Sequence, residues 1–439
     1  MNERVIFQSA VPLDNPYRCA GTLQTWQAEV GKNAVGNSRL MLALSAAFAG
    51  PLLQPLSVEG GGFHFRGGSS TGKTTALQVA GSVWGGGGIN GYVGTWRATS
   101  NGLEGIAALH CDTLLCLDEI GQIDAREAGQ VAYMLSNGRG KSRAGRGGEA
   151  RKSSEWRVLF LSSGEISLAQ KIAEDTRNRR AMAGQEVRIV DVTADAGAGM
   201  GIFEVLHGFP GPDAFARHFK AAISKNYGHA SIAFLTKLVE APTKNVERAA
   251  VLMKAFQEQN TVSGADGQVS RVLARFALAA AAGELALEFG ILPWASGNAF
   301  DAARKCFRAW IDGRGGTEAA EDRDALTTVR RFLEAHGSSR FELIHGEAHA
   351  GTEQAIDSRI INRAGFVRHQ DGEREYIFLP ETWKDVCAGM DPGRVAKVLV
   401  ERGFMLTGGD GKPQVKQRLP GIAKPARCYV VSSSILADD

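Results

Sequence analysis

The chain has 439 residues, 44% of them hydrophobic and 22% charged, with a formal net charge of +3. That length allows two or three domains and a sizeable core, while the charge is too mild to argue for nucleic acid unless it clusters locally. No run of about 18 apolar residues exists, so no membrane span is predicted. The opening Met1-Asn2-Glu3-Arg4-Val5 lacks a signal-peptide layout, and Cys19, Cys111, Cys116, Cys306, Cys387 and Cys428 form no C-x-x-C pair, so they read as reduced, mostly buried thiols of a cytoplasmic protein.

Residues 1 to about 16 read as a loosely fixed lead-in, followed by a short helix from Leu23 to about Val30. A stronger helix runs from Asn37 or Ser38 to Phe48, apolar on most faces, and Gly50-Pro51 ends it. Its apolar surface suits packing against a sheet. Residues 62–66 alternate as a strand, with Phe63 and Phe65 on one face. Next come Gly67, Gly68, Ser69, Ser70, Thr71, Gly72, Lys73 and Thr74, with Thr75 behind them. This fits G-x-x-x-x-G-K-[ST], the phosphate-binding loop, in the strand–loop–helix context it requires. Backbone N–H groups there would wrap the phosphates of ATP, with the helix N-terminus adding partial positive charge. Lys73 would reach the β- and γ-phosphates, and the Thr74 hydroxyl would ligate Mg²⁺.

Residues 94–104 cluster polar groups around Trp96. They read either as a surface loop capping a helix from Ser100 or Asn101, or as a functional loop near the nucleotide or substrate. Residues 113–120 form an apolar run of strand length ending in Asp118 and Glu119, a Walker B arrangement. Asp118 would hold Mg²⁺ through water, and Glu119 would orient or deprotonate the attacking water.

A helix from Glu127 to Leu135 breaks at Asn137-Gly138. Residues 139–152 then carry six positive charges and one acid among glycines. Arg139, Lys141, Arg143 and Arg146 suit a hairpin gripping a phosphate backbone; a solvated charged loop is the alternative. The strand at 156–161 ends in Ser162-Ser163, where a polar side chain can sense the γ-phosphate or simply close a turn. Arg177, Arg179 and Arg180 are surface charges or include an arginine finger that reaches a neighbouring subunit's ATP. Residues 186–192 alternate as another strand.

From about 200 to 312 the pattern is helical, with 269–286 a long buried helix, and reads as a lid. A glycine- and acid-containing linker spans 313–320. Beyond it, helices at 325–335, 358–364 and 393–402 accompany a hairpin through Asp371-Gly372 and a strand at 429–431. That mixture suggests a winged-helix module. His345 and His349 flank Glu347 at i, i+4, but the pattern is not H-E-x-x-H and no third metal ligand is evident.

As an ordered set, residues 63–75, 95–99, 117–120, 133–143 and 161–165 resemble the Cch-like helicases of mobile genetic elements, the domain of unknown function 927. That family is related to the MCM replicative helicases within the AAA+ class. The resemblance runs from about Tyr17 to the C-terminus. It implies an α/β fold: an AAA+ P-loop NTPase core with its lead-in at 1–200, a helical lid at 201–315 and a winged-helix-like α+β domain at 320–439. It implies a ring, expected to be a hexamer, that hydrolyses ATP with Mg²⁺ between subunits and translocates on single-stranded or forked DNA. By position, Lys141 and Arg143 match the pore-lining hairpin, and Ser163 falls where relatives often place Asn as sensor 1. Arg188 is the first arginine-finger candidate, Arg180 the second, and Arg271 resembles a sensor 2. With no room for upstream primase or zinc-binding regions, the chain reads as a separate helicase subunit or a shortened relative, with a primase or initiator encoded nearby as a partner. Two other readings stay open: a nucleotide-switched DNA-binding initiator or loader, and an AAA+ protein remodeller.

Overall fold

A computed structural model of the chain describes residues 15–88, 91–141, 153–175, 184, 187–314, 316, 319–344, 360, 362–370 and 372–437. The chain divides into two compact units, Met1–Thr317 and Glu318–Asp439.

The first unit is built on a five-stranded sheet. β1 (Gly61–Arg66), β2 (Gly94–Thr95), β3 (Leu114–Asp118), β4 (Leu159–Gly164) and β5 (Ile189–Thr193) lie in the order β2-β3-β4-β1-β5. Every pairing is parallel. Such a sheet must be covered on both faces, because crossovers lay helices on each side. Phe63 and Phe65 point into one core with α2 (Ser38–Ala47) and α3 (Lys73–Gly81), while Leu115, Leu117 and Phe160 point into the other with α4 (Ser100–Leu109) and α5 (Ala125–Asn137). The apolar α2 does pack in the sheet's core, as its composition suggests; all ten of its residues are buried. A short α1 (Leu23–Trp26) continues into a wider turn, Gln27–Gly31.

α6 (Leu168–Ala173) follows β4. Among the described residues of this unit, five helices come after β5: α7 (Pro212–Ile223), α8 (His229–Glu240), α9 (Pro242–Asn260), α10 (Gly267–Glu288) and α11 (Asn298–Arg314). α10 packs directly on the sheet, with the rings of Phe276 and Phe63 4.9 Å apart. Truncating either ring would cost about 3–5 kcal/mol. None of the described helices is long and apolar enough to cross a membrane.

The second unit carries α12 (Ala320–His336), β6 (Phe341–Leu343), β7 (Gly365–Gln370), β8 (Glu373–Phe378), α13 (Pro380–Val386), α14 (Pro392–Glu401), β9 (Gln414–Gln417) and β10 (Ala426–Ser432). Its sheet order is β6-β7-β8-β10-β9. β7 and β8 pair antiparallel on either side of 371–372, as the Asp-Gly signal anticipates. The expected helix at 358–364 is not found among its described residues: Asn362 has φ +64°, a left-handed conformation that cannot continue a helix. His345, Glu347 and His349 lie outside the described residues.

Candidate functional site

β4 lies between β1 and β3, so the strand tips deliver three things side by side: the glycine loop after β1, Asp118 at the end of β3 and Ser163 near the end of β4. In open parallel sheets, ligands bind in the crevice at the carboxyl ends of the strands. Among the described residues, the backbone N–H groups of Gly68 through Thr75 donate to no protein acceptor. They open the N-terminus of α3, where the helix dipole favours an anion. Gly72 has φ +91°, and a Cβ there would fall 2.8 Å from Ile202 Cγ1. Only glycine meets both demands at that turn.

The Lys73 ammonium is folded into the loop, donating to the carbonyls of Gly67 at 2.8 Å and Gly68 at 2.6 Å. The Thr74 hydroxyl donates to Asp118 Oδ2 at 3.0 Å. A helix-first hydroxyl against a strand-end carboxylate is the oxygen pair a small hard cation takes, directly or through water. These donors and oxygens fit a nucleoside triphosphate with Mg²⁺: Gly67 to Thr75 would hold the phosphates, and Thr74 with Asp118 would hold the ion.

Ser163 donates its hydroxyl to Asp118 Oδ1 and accepts from the Glu119 N–H at 3.2 Å. One side chain thereby fixes the carboxylate of one acid and the backbone of the next. Glu119 is held at φ +59°, ψ +82°, and its Oε1 accepts from the Gly121 N–H at 3.2 Å. Positive φ at a non-glycine residue costs of order 1–3 kcal/mol and clusters at functional turns.

A buried network stands behind the strand tips. His64 is completely buried, and its Nε2 faces the Ile166 carbonyl at 3.0 Å. That nitrogen must carry the proton, which leaves Nδ1 to accept from the Ser162 hydroxyl at 2.8 Å. The Trp96 indole N–H donates to the same hydroxyl at 2.8 Å. Burial holds the His64 pKa below the ordinary histidine value. Trp96 is a core residue, which sets aside the surface-loop alternative for it and leaves the functional-loop alternative open. The helix cap there is Thr99, accepting from the Gly102 N–H at 3.2 Å, rather than Ser100 or Asn101.

Sequence reasoning missed Arg39. It sits buried in α2 and donates to the carbonyls of Thr193 at 3.0 Å and Asp195 at 3.1 Å. The segment it holds returns to the glycine loop, where the Ile202 N–H donates to the Thr71 carbonyl at 2.9 Å. The available signal was a lone arginine inside an otherwise apolar helix.

The base of the basic segment closes as an antiparallel pair. The Gly140 N–H meets the Ser154 carbonyl at 2.8 Å, and the Trp156 N–H meets that of Gly138 at 2.9 Å. Lys141 donates to the Ser100 hydroxyl at 3.3 Å, and Arg139 pairs with Glu155 at 3.4 Å. Arg143, Arg146 and Arg180 lie outside the described residues.

Arg188 and Arg271 are not at the glycine loop. They line one pocket of about 290 Å³ with Glu59 and Arg275, at the amino ends of β1 and β5. A six-residue strand separates that end from the phosphate loop by about 20 Å. Arg188 stacks over the Tyr133 ring at 4.4 Å. Arg275 is buried and donates to the carbonyls of Val187 at 2.6 Å and Gly60 at 3.2 Å. Gly61, at φ +152°, leaves the space its guanidinium fills. Burial lowers the Arg275 pKa to about 10.

Residues 1–155 match the family model described as Domain of unknown function (DUF927). Among solved structures, SCCmec type IV Cch, described as an active helicase, shares the fold with a TM-score of 0.68 and 18% sequence identity, covering 98% of this chain and 75% of that one. A comparison with the curated proteins finds no match. Residues 1–155 thus match the DUF927 model, and the chain shares its fold with the SCCmec type IV Cch structure.

Proposed function

We propose that this chain is an AAA+ ATPase of the MCM-like kind that assembles into a ring, expected to be a hexamer, and drives translocation on single-stranded or forked DNA during replication of a plasmid, phage or integrated element. The observation that carries this reading is the division of the sheet. Phosphate-loop donors, Thr74, Asp118 and Ser163 converge at one end, and Arg188 with Arg271 lies at the other. A subunit whose arginines point away from its own nucleotide is suited to complete a neighbour's site.

The roles follow from geometry. Lys73 leaves its carbonyl partners for the phosphates as the loop fills. Bound Mg²⁺ supplies charge neutralisation and polarisation of the phosphate oxygens. Ser163 keeps Asp118 oriented toward Thr74, and Glu119 swings from the Gly121 N–H to take a proton from the attacking water. Arg188 of one protomer stabilises charge on the phosphoryl group held by the next, with Arg180 as a second candidate and Arg271 as a sensor 2 acting at the same interface. Lys141 and Arg139, with Arg143 and Arg146 beyond the closed base, contact the DNA backbone. Residues 1–200 form the core, 201–315 the lid and 320–439 a winged-helix-like module. A primase or initiator encoded nearby is a fitting partner.

ATP turnover measured with and without single-stranded DNA tests this. Stimulation by DNA is expected; turnover indifferent to DNA argues against a motor. The engaged Glu119 carboxylate favours a second reading, a nucleotide-switched initiator. It would bind duplex DNA with ATP bound and barely hydrolysed.

A further inference from the structure

The hairpin of β9 and β10 in the second unit is charged in a way its own fold does not reward. From Gly411 to Ala437 there is no Asp or Glu, and there are five cations: Lys412, Lys416, Arg418, Lys424 and Arg427. All five are exposed. Lys412 has Asp410 at 3.6 Å, and that acid also feels Arg427 at longer range. The other four have no carboxylate partner among the described residues. The helices of the same unit differ: Lys384 of α13 pairs with Glu381 at 2.9 Å, and on α14 Arg394 pairs with Asp322 at 3.4 Å and Lys397 with Glu401 at 3.6 Å.

The strand register sharpens the contrast. Arg427 lies directly opposite Lys416. Like charges facing each other across an antiparallel pair destabilise the hairpin. Protecting an edge strand explains Lys416 on β9. It does not explain Arg427, which sits on the interior strand β10, nor Arg418 and Lys424 in the connection. Residues directly opposite in an antiparallel pair share a face, so Lys416 and Arg427 lie together on one side of the sheet.

We infer that this hairpin is a docking surface for the phosphate backbone of duplex DNA, separate from the ATP-driven grip on a single strand and independent of nucleotide. A polyanion turns the Lys416–Arg427 repulsion into shared attraction and recovers binding free energy through counterion release. The duplex is favoured over a single strand because residues 411–427 contain no aromatic side chain on which bases could stack. Tyr429, the nearest, is stacked on Trp383 at 4.7 Å.

The test uses the full chain without nucleotide and a labelled duplex of about two helical turns, with oligo(dT) and polyglutamate as the other probes. Arg418→Gln with Lys424→Gln should lower duplex affinity roughly tenfold and make the salt dependence shallower by about 1.8 in log–log slope, the value for two lost phosphate contacts. Arg427→Glu should weaken duplex binding while raising the thermal midpoint, because Lys416 then faces an opposite charge. Lys397→Gln, already neutralised on its helix, should change neither, and oligo(dT) affinity should hold throughout. Unchanged duplex affinity and slope in the Arg418/Lys424 variant would overturn the inference. So would an equal loss for oligo(dT), or competition by polyglutamate as effective as unlabelled duplex. None of these readouts depends on ATP turnover, so failure of the motor reading would leave them interpretable.

Discussion

The two ends of the five-stranded sheet solve opposite problems. At the carboxyl end, donors are left over: among the described residues the N–H groups of Gly68 to Thr75 have no protein acceptor, and Lys73 is parked on two carbonyls. At the amino end, cations gather without a matching set of acids: Arg188, Arg271 and Arg275 share a pocket in which Glu59 is the one carboxylate among the described residues. One end offers a cradle for negative charge, and the other gathers guanidinium groups that its carbonyls and the Tyr133 ring hold without neutralising their charge. A single protomer cannot bring them together across about 20 Å of strand; an assembly can.

The largest effect that would break this pairing is Arg188→Ala. ATP binding should persist while turnover falls about 10³–10⁵-fold, as for loss of an arginine finger; full turnover in that variant would remove the amino end from the chemistry. Glu119→Gln comes next. Turnover should fall about 10²–10⁴-fold, the range for a general base, with ATP retained on the protein in a filter-binding assay.

Arg39→Leu probes the scaffold under the cradle. It leaves the carbonyls of Thr193 and Asp195 unpaired and should cost about 1–3 kcal/mol in denaturant melts. The smallest effect is in pH. His64 is depressed by burial, so below about 6.5 the unfolded chain takes up a proton that the folded chain refuses until a lower pH. Stability should therefore fall as pH drops through that window, by up to about 1.4 kcal/mol per pH unit for one group. His110, also depressed by burial, adds to the slope. His64→Gln should make it shallower, and an unchanged slope would place the uptake elsewhere.

The carboxyl end was legible because its chemistry is local. Gly67 to Thr75 are consecutive, and Asp118 and Glu119 end one apolar run, so spacing alone brings out the pattern. The amino end was not, because its contacts are long-range: Arg275 reaches Gly60 across 215 residues and Val187 across 88. The burial of Trp96 was illegible for the same reason, since its partner Ser162 is 66 residues away. Composition showed Trp96 among polar neighbours, but only the parallel stacking of β2, β3 and β4 reveals the core it fills. The hairpin at Asp371-Gly372 was readable from its turn. The like-charge pair of Lys416 and Arg427 was not, because it exists only once the register is set.

Mixing two inactive variants tests the shared site most directly. Lys73→Ala protomers keep Arg188 but lack a working cradle; Arg188→Ala protomers keep the cradle but lack the arginine. If the two ends of the sheet meet between subunits, the mixture should regain ATP turnover at junctions that combine one intact half from each. Turnover no greater than the sum of the separate variants would contradict it.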